Sequence, residues 1–310
     1  MARQARDCVE HGKLEKIFDE ALIVARKRRA LASADAGAAF LMTRVADDLA
    51  ERLSTVERRF PTAAALFSTT AHATETLRAS GKVDSISRIE TDGAMLGPEG
   101  GAVANAGQKI PLNPESLDLV VSLLGLQDIN DIPGTLIQIR RALKPDGLFL
   151  AAFSGNGTLA ELRECLLAAE TEIRGGASPR VSPLADVREA GGLLQRAGFA
   201  LPVADVETVT VRYDTMFGLL KDLRGMGTTN SLADRSRQPG TRHLFQRAAE
   251  IYAERFADPD GRIRATFSFI WLSGWAPHTS QQTPLKPGSA KTSLTKFLDD
   301  IETGSDRSET

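Results

Sequence analysis

The chain has two cysteines, Cys8 and Cys165, in 310 residues. Two are too few for a disulfide framework or a zinc site, so a reduced compartment is the expectation. Its four histidines, His11, His72, His243 and His278, are scattered and form no metal-ligand spacing. No apolar run approaches the ~18 residues of a membrane span. The N-terminus lacks an apolar secretory core, and Asp7, Glu10, Glu15 and Asp19 argue against a transit peptide. A cytoplasmic protein, with a place at the membrane periphery left open, follows as the expectation. A net charge of −2 gives no reason to expect nucleic acid as partner. Neither a Gly-x-Ser-x-Gly elbow nor a P-loop is present, and no internal repeat.

What is present reads as alternating strands and helices. Residues 13–34 put Leu14, Ile17, Phe18, Ala21, Leu22 and Ala25 on one helical stripe, with the basic run Arg26-Lys27-Arg28-Arg29 read as a solvated face. A second helix carries Phe40, Leu41, Val45, Leu49 and Leu53 on one side. These two helices are expected to cover a sheet edge or roof a cleft. Ala63–Phe67 is the expected first strand and Val83–Ile89 the second, ending at Glu90. Residues 93–109 are loop around a short strand near Ala102–Asn105.

The most legible stretch is 110–155. Leu117–Leu126 is nearly all apolar, as a strand buried on both faces must be. Asp131 and Pro133 mark a helix start, and Leu136, Ile139 and Leu143 give that helix one apolar face. Lys144-Pro145-Asp146-Gly147 reads as a type I turn into a strand at Leu148–Phe153. Next come a helix from Thr158, a loop over 174–183, a helix from Ser182-Pro183 to Ala197, and a strand at Val203–Tyr213. Asp214 is expected to cap a helix to Arg224. A helix over Thr241–Phe256 and a last strand at Ile263–Trp275 complete the core. The reading is an α/β, Rossmann-like, doubly wound and mostly parallel sheet with an antiparallel last strand. Residues 1–60 are the expected helical cap, 61–277 the domain, and 278–310 a polar, flexible tail.

Leu117-Asp118-Leu119-Val120-Val121-Ser122 followed by Leu143-Lys144-Pro145-Asp146-Gly147 resembles the fourth and fifth strands of class I S-adenosylmethionine (SAM)-dependent methyltransferases. Gly157-Thr158-Leu159-Ala160-Glu161-Leu162-Arg163, Gly175-Gly176-Ala177-Ser178-Pro179, Asp222-Leu223-Arg224-Gly225-Met226-Gly227 and Asn230 resemble one branch of that class. So do Ile17-Phe18-Asp19 and Gly288-Ser289-Ala290. The branch is the methyltransferase-like complex I assembly factor, whose eukaryotic members are regarded as SAM-using arginine hydroxylases. It is similar to the malonyl-carrier-protein methyltransferase of biotin synthesis. The resemblance implies SAM as cofactor, and a respiratory complex I subunit or assembly intermediate as partner.

The resemblance also implies where the cofactor should lie. The family's turn after the first strand is acidic-x-Gly-x-Gly, whereas this chain has Ala65-Leu66-Phe67-Ser68-Thr69-Thr70-Ala71, without glycine or acid. Holding two threonines in strained conformations costs on the order of 1–3 kcal/mol each, enough to weaken binding roughly 30- to 10⁴-fold. Phe67 and Ser68 at the turn, Glu90 toward the ribose, Asn105 toward the adenine and Leu124 are the implied cofactor-binding positions. Gln127 and Asp128 are the implied substrate-side positions. No residue stands out as catalytic. Cys165 reads as core, and His72, in the altered turn, as inert. Two readings remain open: a SAM-dependent methyltransferase, and a methyltransferase-fold binding or assembly protein without activity. A nicotinamide dehydrogenase is a distant third, because it too needs a Gly-rich turn.

Overall fold

A computed structural model describes residues 16–33, 35–105 and 108–282. Cys8, His11, Gly288-Ser289-Ala290 and most of the expected tail lie outside the described residues. The strands are β1 (Phe60–Leu66), β2 (Val83–Glu90), β3 (Ala102–Val103), β4 (Leu117–Leu123), β5 (Leu143–Ser154), β6 (Ala200–Tyr213) and β7 (Ile263–Trp275). They form one sheet in the order β3-β2-β1-β4-β5-β7-β6. Strand β7 runs antiparallel to both of its neighbours, and the other pairings are parallel, as the sequence led one to expect.

Both faces of the sheet are covered. One core packs α2 (Phe40–Thr55), α5 (Ala160–Arg174) and α8 (Arg242–Phe256) against Leu119, Val121, Leu150 and Phe269. The other packs α4 (Ile132–Ala142) and α6 (Val187–Arg196) against Val120, Phe149 and Leu272. Two-sided burial is why β4 and β5 read as continuous apolar runs. Cys165 is fully buried in the first core, and that burial pushes its thiol up to about 12, so it supplies no thiolate at neutral pH.

Local capping shifts several boundaries. Asp131 does cap α4, its Oδ1 accepting from the Gly134 N–H at 2.8 Å. Helix α6 starts later than Ser182-Pro183 suggests, because the reciprocal box between Asp186 and Glu189 sits at Val187. Thr215, rather than Asp214, caps α7 (Met216–Gly225). Asp146 has a φ of 66°, left-handed where a type I turn would be right-handed, so the turn reading at Lys144–Gly147 is corrected.

The larger correction is α1 (Glu20–Ser33). It begins five or more residues later than the periodicity suggests, and the residues it buries are Ile23 and Lys27. Ile17 is half exposed, so the apolar stripe drawn through it is not the buried face. Lys27 does not belong to a solvated face: it is 6% exposed and paired to Asp128 at 2.8 Å. A buried cation is tolerated only against a carboxylate, and Asp128 lies more than a hundred residues away in sequence.

Candidate active site

The carboxyl ends of β1, β2, β4 and β5 open toward α1 and the loop after α7, the position where open α/β sheets hold ligands. The roof over these strand ends is fastened by polar contacts. Asn130 clamps the start of α1, accepting from the Phe18 N–H and donating to the Phe18 carbonyl and the Glu20 carboxylate. Arg26 donates to the carbonyls of Thr229 and Asn230 and to Ser231 Oγ. Asn230 in turn donates to the Pro179 carbonyl, tying the roof to the loop after α5. Gly227 belongs here for a steric reason: a Cβ on it would come within 3.0 Å of the Lys27 backbone.

Under this roof lie two cavities of very different size. The larger, about 750 Å³, is within the range of small-molecule sites. Leu124, Gln127, Asp128, Thr69 and Thr70 border it from the strand ends. Leu159, Leu162, Leu166, Phe267 and Phe269 form an apolar wall, and Arg26, Arg29, Arg180 and Arg224 bring charge. Arg180 is held by Glu170, whose carboxylate also accepts from Ser178 and Arg174. These bonds, with Arg180 foremost, hold the Glu170 carboxyl down at about 2, so this anchor stays charged over the neutral range.

The smaller cavity, about 40 Å³, holds a water or two. It is bordered by Phe67, Thr91, Asn105 and Gly125 from the sheet, and by Glu20, Ile23, Val24 and Lys27 from α1. The Phe67 carbonyl backs directly onto Gly125, where any Cβ would come within 2.1 Å. Glu90 is 1% exposed and borders neither cavity. One of its oxygens accepts from Arg88 Nε at 3.1 Å and the other from the Thr69 N–H at 3.0 Å. Burial pushes its carboxyl above the usual range, against the opposing pull of Arg88 and the Thr69 N–H. Ser68 is also fully buried; its hydroxyl donates to the Leu66 carbonyl and accepts from the Leu123 N–H, so it joins β1 to β4 and does not face the cleft.

The backbone around the cleft is strained. Among the described residues, Phe67, Thr69, Leu124 and Leu159 have left-handed φ values of 53°, 62°, 51° and 54° without being glycine. Thr69, Leu124 and Leu159 border the large cavity and Phe67 the small one. Such strain persists where surrounding structure over-determines it, and it clusters at binding and catalytic sites. The left-handed turn of a Gly-rich loop is thus kept with bulkier residues in it.

Among the implied positions, the structure brings Phe67 and Asn105 together at the small cavity and Leu124 and Gln127 at the large one, with Asp128 bordering both. It sets Ser68 and Glu90 in the interior. His72 accepts or shares protons with Thr70 and Thr43 and reaches neither cavity's lining. The residues missed in sequence are Arg26, Lys27, Arg29 and Arg180. The only signal for the first three was the basic run on a helix, and its burial could not be read there.

The strand order, with a cleft at the strand ends, is that of the class I methyltransferase fold. The comparisons agree: residues 70–151 match the methyltransferase domain family. A Bacillus halodurans protein assigned as a methyltransferase superposes with a TM-score of 0.51 at 12% identity, over 74% of this chain and 98% of that one. Within the class, the chain is similar to the arginine-hydroxylase NDUFAF5, mitochondrial, of Dictyostelium discoideum. The identity is 44% over 181 residues, covering 58% of this chain and 41% of that protein. For the Homo sapiens protein of the same name it is 42% over 185 residues, covering 60% and 53%. The malonyl-[acyl-carrier protein] O-methyltransferase of Laribacter hongkongensis is 35% identical over 181 residues, covering 58% of each. The chain spans about half the length of the curated relatives it matches. The resemblance read from the sequence therefore holds, and SAM is the cofactor this class implies.

Phe67, Glu90 and Asn105, as they stand, do not fit that cofactor, whereas Thr69, Thr70 and Leu124 open on the large cavity. A nucleoside needs far more than about 40 Å³, the expected ribose acceptor is closed on Arg88, and Ile23 and Lys27 border the small cavity from α1. Among the described residues no group of histidine, cysteine, aspartate and glutamate could hold a metal ion, and no helix is long and apolar enough to cross a membrane.

Proposed function

We propose that this chain is a methyltransferase-fold assembly protein of the arginine-hydroxylase branch, acting on a respiratory complex I subunit or assembly intermediate by binding rather than by methyl transfer. One observation carries this reading: Phe67 and Asn105, two of the implied cofactor positions, border only about 40 Å³, and Glu90, a third, is closed on Arg88, while about 750 Å³ stands open beside them. In this reading residues 1–60 are the cap, 61–277 the binding domain and 278–310 a polar extension, and the protein works in the cytoplasm.

Calorimetric titration of the full chain with SAM and S-adenosylhomocysteine tests it. No heat is expected up to millimolar ligand, together with capture of complex I subunits that is indifferent to SAM. Micromolar SAM binding would overturn it.

A second reading, SAM-dependent modification of a protein side chain or small acid, is favoured by the methyltransferase domain match and by the contact of the large cavity with Thr69, Leu124 and Asp128. It requires α1 to withdraw Ile23 and Lys27. SAM carries its own activated methyl, so this chain's residues would need only to orient the acceptor and exclude water.

A further inference from the structure

The charges around the large cavity do not cancel. Lys27 is neutralised by Asp128, and Arg180 by Glu170. Asp35, the other acid bordering the cavity, faces Lys221 at 3.8 Å. Arg29 on α1 and Arg224 on α7 also border it, both at its exposed edge, and among the described residues neither has a carboxylate partner. Arg29 adds to the positive field at Arg26, whose guanidinium is held below its usual range chiefly by burial and then by Arg235 and Arg29. Deeper in, the walls are aliphatic and aromatic: Leu162, Leu166, Phe267 and Phe269 are all buried. The cavity thus pairs an uncompensated cationic mouth with an apolar interior in a chain whose net charge is −2.

We propose that this cavity binds an amphipathic carboxylate, an acyl chain lying against Leu162, Leu166 and Phe269 with its single anionic head at Arg29 and Arg224. The proposal rests on the reading that the substrate side is the working half of the site, and it names the ligand chemistry of that half. An apolar tail is driven in by removal of its surface from water. A carboxylate can accept charge-assisted hydrogen bonds from guanidinium groups, whereas an ammonium or guanidinium head would meet like charge.

The test titrates the full chain with three probes below their micelle concentrations: dodecanoate, dodecanol and dodecyltrimethylammonium. Dodecanoate should bind about tenfold tighter than dodecanol, with the cation weakest. The Arg29→Gln/Arg224→Gln pair, both exposed and free of structural ion pairs, should remove most of that advantage and leave dodecanol affinity within about twofold. Leu162→Trp, checked for retained fold by circular dichroism, should weaken all three probes. Equal affinity for the three, tightest binding of the cation, or no binding of any would overturn the proposal. Retained capture of complex I subunits with no dodecanoate binding would sink this inference and leave the assembly reading standing. SAM binding with the dodecanoate preference intact would do the reverse.

Discussion

On the side of Leu159 and Phe269 the cleft has about 750 Å³ of space; on the side of Phe67 and Thr91, about 40 Å³. Both sides carry an acid–arginine pair, and the pairs are used differently. Glu170 and Arg180 on the open side are a peripheral anchor: the carboxylate is buried and the guanidinium reaches the cavity. Glu90 and Arg88 on the closed side are both inside, 1% and 7% exposed, and pair with each other.

The largest test of that contrast is Glu90→Gln. It leaves Arg88 buried without its counter-charge, and about 3–5 kcal/mol of stability should be lost in urea unfolding. A loss below 1 kcal/mol would mean the carboxylate is free for a ligand after all. Gly125→Ala comes next, at about 1–3 kcal/mol, because the new methyl group must displace the Phe67 carbonyl that closes the floor. Lys27→Ala should cost about 2 kcal/mol by orphaning Asp128, and should enlarge the closed side. Weak SAM binding appearing in this variant, read by calorimetry against its absence in the parent, would identify α1 as the seal; continued absence would put the seal in the β1 turn itself. Thr69→Gly should be neutral or stabilising by up to ~1 kcal/mol, relief of the left-handed φ being offset by glycine's entropy.

The remaining tests are in pH dependence, and their signs differ. Glu170 is held at about 2, below its ordinary 4.5, so its contribution is present above pH 4.5 and lost as pH falls through about 2. Asp48, on α2, is raised from 3.8 to about 6, first by burial and then by its hydrogen bond with Glu207. The folded form therefore holds that proton more tightly than the unfolded chain, and the stabilisation is lost as pH rises through about 6. Melting temperatures between pH 5 and 7 should fall slightly on the alkaline side, and Asp48→Asn should flatten that slope.

Much of the fold was legible because its signals are local. The apolar runs of β4 and β5, the Asp131 cap and the β-branched alternation of β6 are each written within a dozen or so residues. The open side of the cleft was partly legible for the same reason, since Leu124, Gln127 and Asp128 directly follow β4. The helix α1 was misread because its buried face is not its apolar face: Ile23 and Lys27 are inward, and Ile17 is not. No periodicity announces that a lysine will be buried when its partner, Asp128, lies in another element.

The sequence by itself determined the fold class, a mostly parallel doubly wound sheet, through the phrases around β4 and β5, and it determined that the turn after β1 has no glycine. It did not determine what that loss did to the cleft. The tertiary structure decided that the turn keeps left-handed backbone with Phe67 and Thr69 in it, and that Arg88 takes the carboxylate of Glu90. It also decided that α1 fills one half of the site and leaves cationic edges around the other. The physical reason is that burial and charge pairing are properties of distant residues brought together, whereas strands, caps and turns are settled among neighbours along the chain.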